Sequence, residues 1–348
     1  MTQQWLATGG QMQEIDQKAI LDYGLSGNNL MEAAASFAAR VAFDLCPRGP
    51  VTVITGAGNN GGDGWGLARH VAARSVPVRV LAGTDPALLR GDAAIQQKIY
   101  ESFSLPWEKY EGPGQLEHSA LIVDALLGTG FRGELRQGAA EIIAAMNQNP
   151  APVLAVDIPS GLPADFLPPS GPLVQAEATA TFGLAKAGFY TSAGRQAVGR
   201  IYLDPIGLPA SLLRGTGLVL NDGTQGAKGL APRRADSHKG SFGHGLLVAG
   251  SRGMSGAALL AATGALRSGL GLLTAATPSE IQPLLAAGVW EALTLPLPST
   301  GKGEFSHEAA AQVSLGEYDA AAVGPGCRVC PGTRALVHSL VKSQLPRS

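Results

Sequence analysis

Cysteine is scarce: three occur in 348 residues, with Cys46 alone and Cys327 and Cys330 spaced as C-x-x-C. No second C-x-x-C and no histidine pair accompanies them, so they read as structural thiols rather than a zinc or redox centre. Charge is sparse and balanced, 26 Lys/Arg against 27 Asp/Glu, for a net charge of −1. No basic stripe is available to follow a nucleic-acid backbone or an anionic membrane. No apolar run reaches the ~18 residues of a membrane span. The opening MTQQWLATGG lacks the basic flank and apolar stretch of a secretory signal. These absences predict a cytoplasmic protein with no nucleic-acid or membrane partner. There is no repeat and no low-complexity tract.

Glycine is abundant, with 47 residues that sit mainly in loops after apolar runs. Hydrophobic residues make up 45%, enough for a buried core, and the length suits two domains at roughly 150 residues each. Met12, Ile15 and Ala19, then Leu30, Ala34, Phe37, Val41 and Leu45, fall at helical spacing, so two helices precede the first strand. VTVIT (51–55), VRVLA (78–82), LIVDA (121–125), PVLAVD (152–157), TATF (179–182) and IYLD (201–204) then read as strands, with a helix over about 63–74 after the first. Strands alternating with helical segments imply a mostly parallel sheet covered on both faces. The Gly/Pro/charge-rich stretch 216–237 reads as a linker between a domain over 1–215 and another over 238–348. The second domain restarts the pattern with GLLVAG (245–250), a helix, LGLLTAAT (270–277) and AAAVGPG (320–326).

GAGNNGGDG (56–64) is the most informative segment. Gly56, Gly58 and Gly61 satisfy G-x-G-x-x-G between a strand and a helix, and Asp85 stands where a ribose-binding acid would follow. An NAD-binding dehydrogenase is therefore one reading. Asp63 weighs against it, because a carboxylate near the helix start competes with a pyrophosphate for the positive end of the dipole. A third reading is structural, with the glycines making a turn and Asp63 capping the helix.

Asp124 and Asp157 each end a strand and lead into a flexible turn, GTGF and PSGL, where open α/β sheets bind ligands. Either aspartate alone would suit a turn. Three such strand ends together favour a site. The oxygens of Asn60, Asp124 and Ser160 suit a hard cation, and with a single carboxylate among them a monovalent one.

NNGGDG, VDALLGTG and VDIPSGL, in this order, resemble the N-terminal domain of the bifunctional NAD(P)H-hydrate repair enzymes. LMEAAA (30–35), TFGLAKAG (181–188) and IYLDPIGLP (201–209) add to the resemblance, with Ala35 where the family usually has glycine. HKGSFGHGLLVAGSRGMSGAALLAATGALRSGLGLLT (238–274) and VGPG (323–326) are similar to the ADP/ATP-dependent dehydratase domain that follows it. The resemblance implies a Rossmann-like three-layer α/β domain followed by a ribokinase-like α/β domain. It implies that Asn59, Asn60, Gly61, Gly62 and Asp63, then Gly128, Thr129, Gly130, Phe131, Arg132, Gly133 and Glu134, then Asp157, hold hydrated NADH or NADPH. It implies that Asn60, Asp124 and Ser160 bind potassium, that Ala257 and Gly326 touch the hydrate in the second domain, and that the protein is a homodimer. The sequence stops at LVKSQLPRS without the GTGD-type motif that supplies nucleotide contacts and the catalytic group. An incomplete second domain without dehydratase activity is therefore expected.

The implied reaction is epimerisation at C6 of the reduced ring. The ring nitrogen expels hydroxide and water returns on the other face, or the ring opens and recloses. Such chemistry calls for a proton donor and an anionic group. Asp157 is expected to do the acid/base work, Asp63 to organise the glycine loop, and Lys186 to donate a proton or hold a phosphate. A non-catalytic interaction module is the remaining alternative, disfavoured by the retained Asn60, Asp63, Asp124 and Asp157.

Overall fold

A computed structural model describes residues 4–221, 223 and 233–343. The chain divides into two compact units, Met1–Gly226 and Ala227–Ser348.

The first unit begins with strand β1 (Leu6–Ala7) and helices α1 (Gly9–Leu21) and α2 (Gly27–Leu45). Thr8 and Ser26 cap the two helices, each accepting an N–H from the first turn. Met12, Ile15 and Ala19 are buried as their spacing predicts, as are Leu30, Ala34 and Val41, with Phe37 and Leu45 packed against the same core. There follow β2 (Val51–Thr55), α3 (Asn59–Ala72), β3 (Val78–Ala82), α4 (Gly91–Ser102), β4 (Trp107–Lys109) and β5 (Leu121–Ala125). The unit continues with α5 (Gln137–Gln148), β6 (Val153–Val156), β7 (Ala178–Phe182), β8 (Ala185–Lys186), α6 (Ser192–Ala197) and β9 (Arg200–Asp204).

Seven strands form one parallel sheet in the order β4-β3-β2-β5-β6-β7-β9. Alternate residues divide between two cores. Val53, Val80, Val123 and Val156 join the residues of α1 to α4, and Ile54, Leu81, Ile122 and Ala155 join those of α5. Three layers result, and β2, β5, β6 and β7 are buried along their whole length. The order in which strands are added reverses between β2 and β5, the topological switch point at which α/β sheets open a crevice above their carboxyl ends.

Two features differ from the sequence reading. Helix α3 starts at Asn59, four residues before the expected start, with Gly58 as an N-cap that makes no side-chain bond. The reason is packing. A Cβ on Gly61 would stand 2.0 Å from the Gly56 carbonyl oxygen, and one on Gly64 2.6 Å from the Ala125 Cβ, so glycine lets the helix begin directly against the sheet. The stretch read as a linker begins inside the first unit: Leu6 N–H donates to Leu218 O, and Leu220 N–H donates to Gln4 O. Within that stretch, residue 222 and residues 224–232 lie outside the described residues.

In the second unit β10 (His244–Val248), α7 (Ser255–Arg267), β11 (Leu272–Pro278), α8 (Gln282–Gly288), β12 (Leu293–Leu297), β13 (Ala320–Val323) and α9 (Pro331–Lys342) follow in order. Its four strands are parallel in the order β12-β11-β10-β13, with an apolar cluster on each face. Among the described residues no helix is long and apolar enough to cross a membrane.

Candidate functional site

The loops after β2, β5 and β6 meet at the switch point. Asp124, at the end of β5, is fully buried and receives three hydrogen bonds: Ser160 Oγ donates to Oδ1 at 2.6 Å, Ser160 N–H to Oδ2 at 2.7 Å, and Leu126 N–H to Oδ1 at 3.2 Å. Burial nevertheless raises its carboxyl to about 6, the hydrogen bonds opposing only part of the desolvation. Leu127 N–H donates to Ser160 Oγ at 2.8 Å, and Asn60 Nδ2 donates to the Leu127 carbonyl at 2.9 Å. Asn60 Oδ1 is buried and has no hydrogen-bond partner among the described residues. The residues expected to bind a cation are therefore joined in one network that leaves an orphaned buried oxygen. A desolvated carboxylate and an unpaired amide oxygen fit a hard cation. Among the described residues no group of three His, Cys, Asp or Glu side chains is placed to hold a metal.

A second cluster gathers acid–base groups. Asp157 follows β6 with φ +65°, a left-handed conformation uncommon outside glycine, and its N–H donates to Ala180 O at 2.7 Å. Lys186 is 1% exposed, and its ammonium donates to Asp157 Oδ1 at 2.5 Å, Thr181 Oγ1 at 2.7 Å and Phe182 O at 3.0 Å. Asp63, on α3, is buried, and burial pushes its carboxyl well above the ordinary range, with the charges of Asp157 and Asp16 adding to the rise. Asp63 caps nothing, because α3 begins four residues before it.

Asp16, on α1, completes this cluster and escaped the sequence reading. Burial, then the charge of Asp157, raises its carboxyl to about 6, while Lys186 pulls it down. The only sequence signal was an acid one residue from the buried Ile15, in a helix otherwise rich in polar residues.

The loop 128–134 begins against Asn60. A Cβ on Gly128 would lie 3.0 Å from Asn60 Cβ. Thr129 and Phe131 are half-buried; Gly130, Arg132, Gly133 and Glu134 are exposed, with Arg132 Nη1 donating to the carbonyls of Thr129 and Phe131. Asn59 is exposed, whereas Gly61 and Gly62 are buried, and a Cβ on Gly62 would stand 2.6 Å from the Met31 sulfur. Asp85 accepts the Ala87 N–H and caps a short 3-10 turn. In the second unit Ala257 and Gly326 are adjacent: a Cβ on Gly326 would lie 3.1 Å from that of Ala257, and Ser251 Oγ donates to Gly326 O at 2.8 Å. Cys327 and Cys330 are free thiols, and Cys330 caps α9 by accepting the Thr333 N–H.

Residues 27–188 match the YjeF-related protein N-terminus family, and residues 245–346 match the NAD(P)H-hydrate dehydratase family. The bifunctional NAD(P)H-hydrate repair enzyme Nnr of Moorella thermoacetica is 36% identical over 99% of this chain and 67% of its own length. The Coxiella burnetii protein of the same description is 34% identical over 97% of this chain and 68% of its own. The crystal structure of a yeast protein, ynu0, is similar in fold, with a TM-score of 0.52 and 23% identity over 67% of this chain and 96% of that one. The dehydratase match reaches residue 346 and lends no support to the expected loss of that activity. With these matches across nearly its whole described length, the chain belongs to the bifunctional NAD(P)H-hydrate repair enzyme family.

Proposed function

We propose that the first unit interconverts the R and S hydrates of NADH and NADPH at C6. The observation that carries this reading is the Asp157–Lys186 pair after β6, whose charges act on the buried Asp63 of α3, together with the Asn60–Asp124–Ser160 network. Asp157, held as the ionic partner of Lys186, stabilises the cation that develops when the ring nitrogen expels the C6 hydroxyl. Asp63, kept neutral by burial, donates the proton that lets hydroxide leave as water. This divides the work differently from the sequence expectation, which gave the acid/base work to Asp157 with Lys186 as a further proton donor or phosphate contact. The exposed residues of 128–134 (Gly130, Arg132, Gly133 and Glu134) and Asn59 would line the approach for the nucleotide part of the substrate.

Asn60 Oδ1, Asp124 and Ser160 would hold potassium, supported by the unpaired amide oxygen beside a desolvated carboxylate. Bound there, a monovalent cation supplies positive charge that fixes the β5 and β6 loops. In the second unit Ala257 and Gly326 would contact the hydrate, and ADP- or ATP-dependent dehydration of the S hydrate is the reaction to assay, as its relatives' description suggests.

The test is to incubate the protein with purified R or S hydrate and follow their interconversion by chromatography, with potassium and with lithium in its place. Rates no faster than buffer alone would overturn the epimerase reading. An absorbance rise at the reduced-cofactor band on mixing with NAD+ and a substrate would favour the dehydrogenase alternative.

A further inference from the structure

Epimerisation moves two protons on two faces of the ring. One is given to the departing hydroxyl, and one is taken from the water that attacks opposite. Asp63 supplies the first. Asp157 holds Lys186 through Oδ1 as its countercharge, which favours a separate group for the second transfer.

Asp16 is placed for it. The pairing of β1 with β8 sets Ala7 beside Lys186, and Thr8 then starts α1. One turn before Asp16, Met12 packs on the segment that carries Lys186: a Cβ on Gly183 would stand 2.7 Å from Met12 Cε. Gln13 is the side chain nearest Gly130, at 3.9 Å from a Cβ built there. Residues three and four apart share a helix face, so Asp16 lies on the face that runs between the Lys186 segment and the 128–132 loop. The charges of Asp157 and Lys186 act on it, and its own charge acts on Asp63, across this face. Among the described residues Asp16 has no ion pair and no side-chain hydrogen bond that would explain a half-buried carboxyl. Three carboxyls around one lysine favour sharing a proton over full ionisation.

We infer that Asp16 is the second acid–base group of this site, working on the ring face opposite Asp63. The inference rests on the epimerase reading. In one direction the Asp63 carboxyl gives its proton to the C6 hydroxyl, the C6–O bond breaks, and the nitrogen lone pair forms C=N as water leaves. A second water then forms the new C6–O bond on the other face, the C=N pair returns to nitrogen, and the Asp16 carboxylate takes that water's proton. The reverse reaction uses Asp16 as acid and Asp63 as base, and the proton passes back between them through solvent.

The test uses the full chain in water enriched in oxygen-18. Asp16→Asn is expected to lower interconversion by about 100-fold or more. It should still exchange the hydroxyl oxygen of one epimer, because Asp63 can expel water and accept it back on its own face. Asp63→Asn should show the mirror pattern, with exchange confined to the other epimer, and Asp16→Glu should recover part of the inversion. Interconversion within about threefold of wild type in Asp16→Asn, or inversion and exchange lost together there, would overturn the assignment. The wild type gives an independent reading that needs no variant: after subtraction of the uncatalysed rate, kcat should fall as pH drops through about 6, and a flat profile from pH 5 to 8 would also overturn it. If the wild type does not interconvert the hydrates at all, the epimerase reading itself fails.

Discussion

Lys186 and Asp157 meet at 2.5 Å, and the lysine's other two hydrogen bonds go to Thr181 and Phe182. Every ammonium proton thus has an acceptor within the protein, which leaves Lys186 without a donor for a substrate phosphate. Its place on β8, buried to 1% exposure, makes it the fixed countercharge of Asp157.

Lys186→Met therefore breaks a buried pair by removing one partner. The expected cost is about 2–4 kcal/mol, somewhat below that of a fully buried pair, because the half-buried Asp157 is left without its countercharge. Urea denaturation measures the loss. Epimerisation should fall with it, since Asp157 loses the contact that holds its carboxylate in place. A variant within about 1 kcal/mol of wild type would remove Lys186 from this role.

Potassium should stabilise the protein in a pH-dependent way. The Asp124 carboxyl rises from 3.8 to about 6 on folding, so the folded state holds its proton more tightly than the unfolded state. Stability tied to that proton is complete below about pH 4 and is lost as pH climbs through about 6. The rise corresponds to a penalty on the order of 3 kcal/mol above pH 7, which a cation beside the carboxylate offsets. The melting temperature in potassium should exceed that in lithium at pH 8 and converge with it near pH 4. Asp124→Asn should abolish the difference at every pH.

The glycines of α3 are a steric requirement. Gly61→Ala places a Cβ 2.0 Å from the Gly56 carbonyl oxygen, and neither backbone can yield without moving α3 off β2. A loss of about 1–3 kcal/mol is expected, together with epimerase activity, as Asp63 shifts. Gly138→Ala is the contrast: nothing lies within 4 Å of its Cβ, and it is exposed in α5. It should gain about 0.4–1 kcal/mol from the reduced freedom of the unfolded chain. Chemical denaturation of both variants checks the pair.

Much of this architecture was legible because parallel strands buried on both faces leave uninterrupted β-branched runs, and VTVIT and LIVDA end where glycine or aspartate begins the site. Asn60, Asp124 and Ser160 could be grouped because each follows such a run. The start of α3 was not legible, because two asparagines and two glycines are weak helix formers and only the contacts of Gly56, Gly61 and Gly64 hold them helical. Nor were β1 and β8, which are two residues each and too short for any periodicity. That pairing turns Asp16 inward. In the sequence Asp16 stands among Gln13, Glu14, Gln17 and Lys18, a run that reads as a solvated helix face.

Asp16 also gives a stability prediction separate from its chemistry. Its carboxyl is raised to about 6 in the fold, first by burial and then by Asp157, so the folded state favours the protonated form. As pH rises from about 4 past 6, the folded protein must either keep that proton or carry a repelled charge, and stability drops. Asp16→Asn removes the charge while keeping the shape. The variant should equal wild type near pH 4 and exceed it at pH 8 by on the order of 1–2 kcal/mol, the full shift being discounted for the solvent that reaches this half-buried group. At this chain length that is a melting temperature higher by about 1–3 °C. A more stable protein that no longer inverts its substrate is what a charge retained for catalysis, and not for folding, produces. A variant less stable than wild type at pH 8 would mean that Asp16 supports the fold through contacts other than those described.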